Sequence, residues 1–313
     1  MNPAWSVILF TTLAGAGQGL VMALAVTALA GTSLTGSLAG SGLAVSLGLL
    51  VVALGASFLH LGRPERAWRA VLMWRTSWLS REVIVLPIFI GLVAAWLGLY
   101  VWQAAGVLRD TVLPLAAILL CLVLWYCTAM IYVCIRFIQE WAHPLTLVNY
   151  TLIGLSSGLV LFTALTAFAG PQQLVRPAAG WALVVTIVAA AVRMVSIARN
   201  RRLKLKSSLQ SATGISNPTL VQKSMGMTGG SFNTREFMHG RSRAFVVRIR
   251  YIAIGAGFVA PALMLLPALT GAGAAVAWLV IAVLVQYLGL LAERWYFFAQ
   301  ARHPQNLYYQ IVS

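Results

Sequence analysis

Eight apolar stretches, each long enough to cross a membrane, constrain the fold of this chain most strongly. A helix needs roughly 20 residues to span a hydrocarbon layer of about 30 Å. Stretches of this kind lie near residues 5–30, 42–61, 82–103, 111–137, 147–169, 179–199, 248–271 and 275–300. Because they lack the alternating pattern of a transmembrane β-barrel, the sequence predicts an all-α integral membrane bundle of eight transmembrane helices. We treat residues 1–313 as one membrane domain.

Positive charge is concentrated on one side of the predicted bundle. The chain has 22 Lys and Arg but only six Asp and Glu, which gives a net charge of +16. With eight spans, 20 basic residues fall on the side that holds both termini, and only Arg109 and Arg176 fall on the other. Loops rich in Lys and Arg stay in the cytoplasm. The sequence therefore predicts a multi-pass membrane protein with cytoplasmic termini and basic residues at the lipid headgroups, and no nucleic-acid motif accompanies the charge.

The longest polar segment, residues 200–247, lies on this basic side. It is rich in Gly, Ser, Asn and Thr. This composition fits a flexible linker and a loop that docks a partner protein equally well.

The segment between the second and third spans holds five arginines within residues 62–81. Since each would cost roughly 2.5–3.5 kcal/mol at the bilayer centre, the segment is expected to lie at the membrane interface. Gly62 suits the left-handed position that follows a helix. Residues 64–74, which begin with proline, predict a short interfacial helix between spans two and three, with Glu65 and Arg69 paired one turn apart.

Two ionisable side chains are predicted at the same depth beside this segment. His60 would close span two, and Ser80 would cap span three, which puts Glu82 in its first turn. One interpretation is that both residues only stabilise helix ends. The other is that His60 and Glu82 line a site where a lipid-soluble quinone exchanges protons, because imidazole titrates near neutral pH and carboxyl groups donate and accept protons. The residues themselves leave both interpretations open.

Neighbouring side chains would complete a quinone site. Arg63 and Arg81 would stabilise negative charge on a reduced ring, and Trp74 or Trp78 would stack against it. The candidate quinone-binding set is His60, Arg63, Trp74, Trp78, Arg81 and Glu82, with His60 and Glu82 as the proton-exchanging pair.

Two motifs in this region resemble the signature of the dimethyl sulfoxide reductase anchor subunits. They are His60-Leu61-Gly62-Arg63-Pro64-Glu65-Arg66-Ala67 and Trp74-Arg75-Thr76-Ser77-Trp78-Leu79-Ser80-Arg81-Glu82. The similarity extends over all eight spans. Residues 231–237 and 301–309 are most similar to the branch that anchors a cytoplasmic sulfite-oxidising molybdoenzyme.

The resemblance implies a membrane anchor that binds quinone, either ubiquinone or menaquinone. It implies that an iron–sulfur subunit and a molybdopterin catalytic subunit dock on the anchor and carry the clusters and the molybdenum cofactor. It also makes His60 and Glu82 the histidine and carboxylate of the quinone site. Docking of the partner is assigned to Arg66, Arg69, Arg75, Arg235 and Glu236.

The remaining histidines and cysteines argue against a metal centre in the chain itself. No histidine pairs recur at two depths, so no haem is expected. Cys121, Cys127 and Cys134 match no metal-binding spacing and are interpreted as small buried hydrophobic residues.

The direction of electron flow follows from sidedness only in part. A cytoplasmic docking face favours sulfite oxidation with quinone as the acceptor, and an anchor that oxidises quinol, as in dimethyl sulfoxide reductase, is the alternative. A transporter and a purely structural anchor are rival functions. A transporter is disfavoured because the ionisable residues cluster at one face instead of the midplane.

Other charged residues are expected to pair near helix ends. Arg136 and Glu140 are spaced four apart, and Arg193 is near the end of span six. Both groups are expected to extend towards the headgroups, and the alternative is that they border the quinone pocket or contact the iron–sulfur partner. Glu293 has Arg302 as its expected partner, and the alternative is a place in a proton path. On the opposite side, Arg109 and Asp110 are expected to form a solvated pair.

Overall fold

The computed structural model describes residues 1–31, 34–59, 61–204, 206–221, 239–270 and 275–304. Within these ranges there are no strands, and eight helices are long and apolar enough to cross a membrane. The predicted all-α fold with eight spans is therefore confirmed. The helices are α1 (Trp5–Leu29), α2 (Gly36–Phe58), α3 (Trp78–Val101), α4 (Leu108–Val133), α5 (Pro144–Ala169), α6 (Gln172–Arg202), α7 (Arg243–Leu269) and α8 (Val276–Ala299).

The eight helices form two groups of four. Helices α1 to α4 pack in a ring in chain order, and α5 to α8 form a second ring in the same way. The two groups meet where α1 and α4 contact α5, and where α1 contacts α8. Helix α1 is central, with 72% of its most apolar window buried, whereas only 22% of the corresponding window of α3 is buried. The seam between the groups is thus the interior of the protein.

Glycines allow the closest approach across this seam. A Cβ atom at Gly158 of α5 would overlap the backbone of Gly19 of α1, and one at Gly19 would overlap Gly154. A similar contact joins Gly257 of α7 to Gly289 of α8. Small residues let helix backbones approach closely in a membrane, where van der Waals packing drives association. The helix contacts therefore depend on the absence of side chains at these positions.

Contacts between loops define the two ends of the bundle. At one end, the Met1 nitrogen donates to the Ala301 carbonyl oxygen, and Arg199 donates to the carbonyl of Gln139. At the other, the Ser37 hydroxyl donates to the carbonyl of Ala169. Both chain ends, as far as they are described, therefore lie on the same face, together with the arginine-rich segment before α3.

The segment between α2 and α3 differs from the prediction in four ways. Helix α2 ends at Phe58, and Gly62 is not in the left-handed conformation. Residues Pro64–Met73 form a 3₁₀ helix. Because a 3₁₀ helix has three residues per turn, positions four apart do not face each other, and Glu65 lies 3.9 Å from Arg66 instead of pairing with Arg69.

The predicted cap of α3 was also wrong. Ser77, not Ser80, caps the helix by accepting a hydrogen bond from the Ser80 backbone N–H. The helix therefore begins at Trp78, and Glu82 lies in its second turn. Both serines are chemically suitable caps, and the packing of Trp78 against Tyr126 of α4 places the start of the helix at the earlier one.

The cysteines follow the prediction in two cases out of three. Cys121 and Cys127 are buried, but Cys134 is exposed because α4 ends at Val133 and the chain turns away from the bundle.

The glycine seam yields a test of the fold. Gly158→Ala should destabilise the protein by about 3 kcal/mol, the upper end of the usual cost of overpacking, because the added methyl group meets backbone that cannot repack. Thermal unfolding of the purified protein in detergent, with membrane yield as a second measure, would report the change.

Gly48→Ala is the matched control, since a Cβ at Gly48 in α2 meets no atom within 4 Å. The control should behave like the wild type. Equal stability of the two variants would contradict the close packing of α1 on α5.

Candidate functional site

Glu82 is a buried carboxyl group in the second turn of α3. Its side chain is 4% exposed, and it accepts a hydrogen bond from the hydroxyl of Thr128 in α4. Four residues upstream, the Trp78 ring packs edge-on against Tyr126 of α4, with 5.2 Å between the ring centroids. Glu82 is thus held between α3 and α4, just below the arginine-rich end of the bundle.

Arg81 ties the preceding segment to the start of α3. Its Nε donates to the carbonyl oxygen of Trp74 and its Nη2 to that of Arg75, both at 2.9 Å. The guanidinium group also lies 3.9 Å from the ring centroid of Trp78. The cation therefore satisfies carbonyl groups at the end of the 3₁₀ helix and fixes how this segment meets α3.

The 3₁₀ segment has no buried residue and carries both apolar and basic side chains. Trp68 is 62% exposed, and Trp74, which follows the segment, is 51% exposed. Arg69 and Arg75 lie over the rings of the tryptophans beside them, at 5.6 and 5.5 Å from the centroids. A surface of aromatic rings and arginines at this depth suits the headgroup region of a membrane or a docked molecule.

The structure therefore brings together Trp74, Trp78 and Arg81 of the predicted quinone set, and it buries the side chain of Glu82, the next residue, between α3 and α4. Arg63 and the predicted docking residue Arg66 are exposed on the same segment. His60, Arg235 and Glu236 lie outside the described residues.

A second group of buried charges lies in the other half of the bundle. Glu293 of α8 has Arg193 Nε at 2.7 Å from one carboxylate oxygen and Arg294 Nε at 2.6 Å from the other. All three side chains are at most 3% exposed. The Arg294 guanidinium also lies 4.2 Å from the ring centroid of Tyr150. Two arginines and one glutamate leave this cluster with an excess positive charge.

This cluster contradicts two predictions. Glu293 pairs with Arg193 and Arg294, and Arg302 instead pairs with Glu140, whose carboxylate lies 2.8 Å from Arg302 Nε. Arg193 is 2% exposed and does not extend towards the headgroups. The reason is that α6 and α8 lie diagonally across the second group, and the long side chains of Arg193 and Glu293 meet in its interior.

Glu140 likewise does not pair with Arg136. Helix α4 ends at Val133, so the predicted helical spacing between these residues does not exist. The predicted pair on the opposite side is confirmed, since Arg109 Nε lies 2.7 Å from the Asp110 carboxylate.

A small cavity lies at the seam between the two helix groups. It measures about 20 Å³, with room for about one water molecule, and it is too small for a quinone ring. Its lining comes from α1, α4, α5 and α8 and includes Gln18, Trp125, Thr128, Tyr150 and Arg294. The cavity thus joins the partner of Glu82 to the Arg294 end of the charged cluster.

His143 is the N-cap residue of α5 and has a structural role. Its Nδ1 accepts a hydrogen bond from the Leu145 backbone N–H. Burial, together with the positive charge of Arg199, lowers the pKa of His143, which keeps the imidazole neutral and able to accept.

Sequence reasoning missed the cluster around Glu293 although a signal for it exists. Arg193 and Glu293 lie six and seven residues before the basic-side ends of the predicted spans 179–199 and 275–300, so both are too deep to reach the headgroups easily. Opposite charges at equal depth in a membrane protein are expected to pair. Within the described ranges, no group of three His, Cys, Asp or Glu side chains is arranged to hold a metal ion.

Comparison with known proteins agrees with this architecture. The family model described as DMSO reductase anchor subunit (DmsC) matches residues 1–309. A sulfite dehydrogenase subunit from Allochromatium vinosum is 47% identical over an alignment of 330 positions that covers all of both chains. The chain therefore belongs to the family of DMSO reductase anchor subunits.

Proposed function

We propose that this subunit anchors an iron–sulfur and molybdopterin complex to the bacterial inner membrane and passes its electrons to quinone. The observation that carries the proposal is a buried carboxyl group, Glu82, directly beneath the exposed arginine- and tryptophan-bearing segment. In an anchor subunit, this is the place where a lipid-soluble substrate can meet both a proton-exchanging group and a docked electron donor.

The quinone ring lies against the segment between Leu61 and Glu82, on the outside of the small internal cavity. Trp74 and Trp78 offer aromatic faces for stacking, and Arg63 offers an exposed guanidinium group. Arg81 uses two of its five N–H groups on backbone carbonyls and keeps the others for a quinone oxygen. Together these side chains bind and orient the ring.

Glu82 exchanges the proton that accompanies each electron, and we assign His60 to the same task. Thr128 orients the carboxyl group through its hydroxyl hydrogen bond. Each quinone takes up two electrons and two protons, and because Glu82 is nearly excluded from solvent, the protons pass from the cytoplasmic side to the ring through His60 and Glu82.

The partner subunit docks on the basic face through Arg66, Arg69, Arg75, Arg235 and Glu236. The first three are described and exposed, so they are accessible to an acidic surface. Iron–sulfur clusters and molybdopterin belong to the partners. The subunit needs no haem for this role, because electrons pass directly from the docked cluster to the quinone.

Sulfite is the proposed electron source. The full-length similarity to a sulfite dehydrogenase subunit supports this choice over sulfoxide reduction. The excess of basic residues on one face supports a cytoplasmic position for that face, the termini and the docked enzyme. An anchor that oxidises quinol for a sulfoxide reductase is the second candidate, supported by the family match.

Replacement of the buried carboxyl group tests the site. In Glu82→Gln, the amide can still accept from Thr128 but cannot exchange a proton, so sulfite-driven quinone reduction in membranes should fall about 100-fold. Sulfite oxidation with a soluble dye as acceptor should be unchanged, because the partner subunits remain docked.

Glu65→Gln is the control, since Glu65 is a carboxylate on the same segment but is exposed to solvent. It should retain wild-type quinone reduction. Normal quinone turnover in Glu82→Gln, with normal assembly, would favour the purely structural anchor.

Reporter fusions test the proposed orientation. Alkaline phosphatase, which is active only outside the cytoplasm, should be active when fused after Ala105, between α3 and α4, and inactive when fused after Leu203. Green fluorescent protein at the same two points should give the opposite pattern. Active phosphatase after Leu203 would reverse the orientation and would place the docking face outside the cytoplasm.

A further inference from the structure

The cavity between the two helix groups is lined by polar atoms that have no hydrogen-bond partner in the described part of the chain. Oε1 of Gln18 and the indole N–H of Trp125 have no other polar partner among the described residues, whereas the hydroxyl of Tyr150 and Nη1 of Arg294 belong to side chains that also interact with each other. Each of these residues is more than nine-tenths buried. A buried polar atom without a partner is costly, and such atoms in native proteins are usually paired through ordered water.

The chemistry of the lining matches one water molecule. Trp125 and Arg294 are donors, the Gln18 oxygen is an acceptor, and the Tyr150 hydroxyl can be either. A water molecule accepts two hydrogen bonds and donates two, and buried waters make about three on average. The cavity volume of about 20 Å³ suffices for one. A halide ion fits less well, because the Gln18 oxygen faces the cavity and would repel it.

We propose that this cavity is a binding site for one internal water molecule that joins the two halves of the bundle. On one side the water reaches the cavity wall that contains Thr128, whose hydroxyl donates to Glu82. On the other it binds Arg294, which pairs with Glu293 and through it with Arg193. The water thus links Gln18 and Trp125 of the first helix group to Tyr150 and Arg294 of the second within one polar network.

The proposal also accounts for the position of a polar residue in α1. Gln18 lies midway along the most buried helix of the protein, where an amide is expected only if its polar atoms are bonded. The network gives this amide a partner and gives the excess charge of the arginine cluster a polar neighbour in place of hydrocarbon. The proposal of an internal water does not depend on whether quinone binds near Glu82.

The sign of a stability change tests the site. If water is bound, Gln18→Met removes one of its ligands, leaves the donors of Trp125 and Arg294 less well satisfied, and lowers the melting temperature by roughly 2–4 °C. If the cavity is empty, the same substitution removes an unpaired amide and raises the melting temperature or leaves it unchanged. The measurement is thermal unfolding of the purified protein in detergent.

Thr163→Val is the matched control, because Thr163 is buried in α5 and its hydroxyl bonds the Leu159 carbonyl of its own helix. It should change the melting temperature by less than Gln18→Met does. Cryo-electron microscopy of the wild-type protein, at a resolution that shows ordered water, supplies an independent readout if the Gln18 variant does not fold. Density for a water between Gln18 and Arg294 supports the proposal, and a cavity without density overturns it.

Discussion

A hydrocarbon interior offers no hydrogen-bond partner to a charged or polar side chain, and this constraint shapes the bundle from within. Such side chains in a membrane protein face the interior of the bundle or lie towards the ends of the spans. Arg193, Glu293 and Arg294 form one buried ionic cluster, and Glu82 is held by Thr128. Ser156 joins Thr186 to Gln286 in the same way between α5, α6 and α8. These contacts fix which faces of the helices meet.

The two helix groups have different roles around this interior. The first group, α1 to α4, holds Glu82 beneath the exposed segment that precedes α3. The second group, α5 to α8, holds the arginine cluster and supports the long basic connection after α6. In the account proposed here, chemistry takes place at the surface of the first group. The second group holds the buried ionic cluster and contributes much of the basic face.

Much of this arrangement follows from sequence because it depends on composition. The number of spans, the uneven charge of the two faces and the interfacial position of residues 62–81 all follow from where apolar and basic residues fall. The residues at which individual helices begin and end were harder to predict from the sequence. Ser77 and Ser80 are equally good caps, and only the packing of Trp78 against Tyr126 places the start of α3 at the earlier one.

Pairings between helices were the least predictable feature. Glu293 could meet any basic residue on its side of the membrane, and Arg302 is nearer to it in sequence than Arg193 is. The choice depends on which side chains meet inside the ring formed by α5 to α8, and Arg193 and Glu293, 100 residues apart, do so. The cavity at the seam is a further product of this packing, since its lining comes from four helices.

The central claim is that quinone binds beside Glu82 and the segment before it. Photo-crosslinking with an azido-quinone in membranes that contain the intact complex, followed by peptide mapping, tests this claim most directly. The account predicts labelled peptides between Leu61 and Glu82, with labelling suppressed by excess natural quinone. The account would be contradicted if the labelled peptides came only from loops at the opposite end of the bundle, such as the loop between α3 and α4, and if excess natural quinone suppressed that labelling.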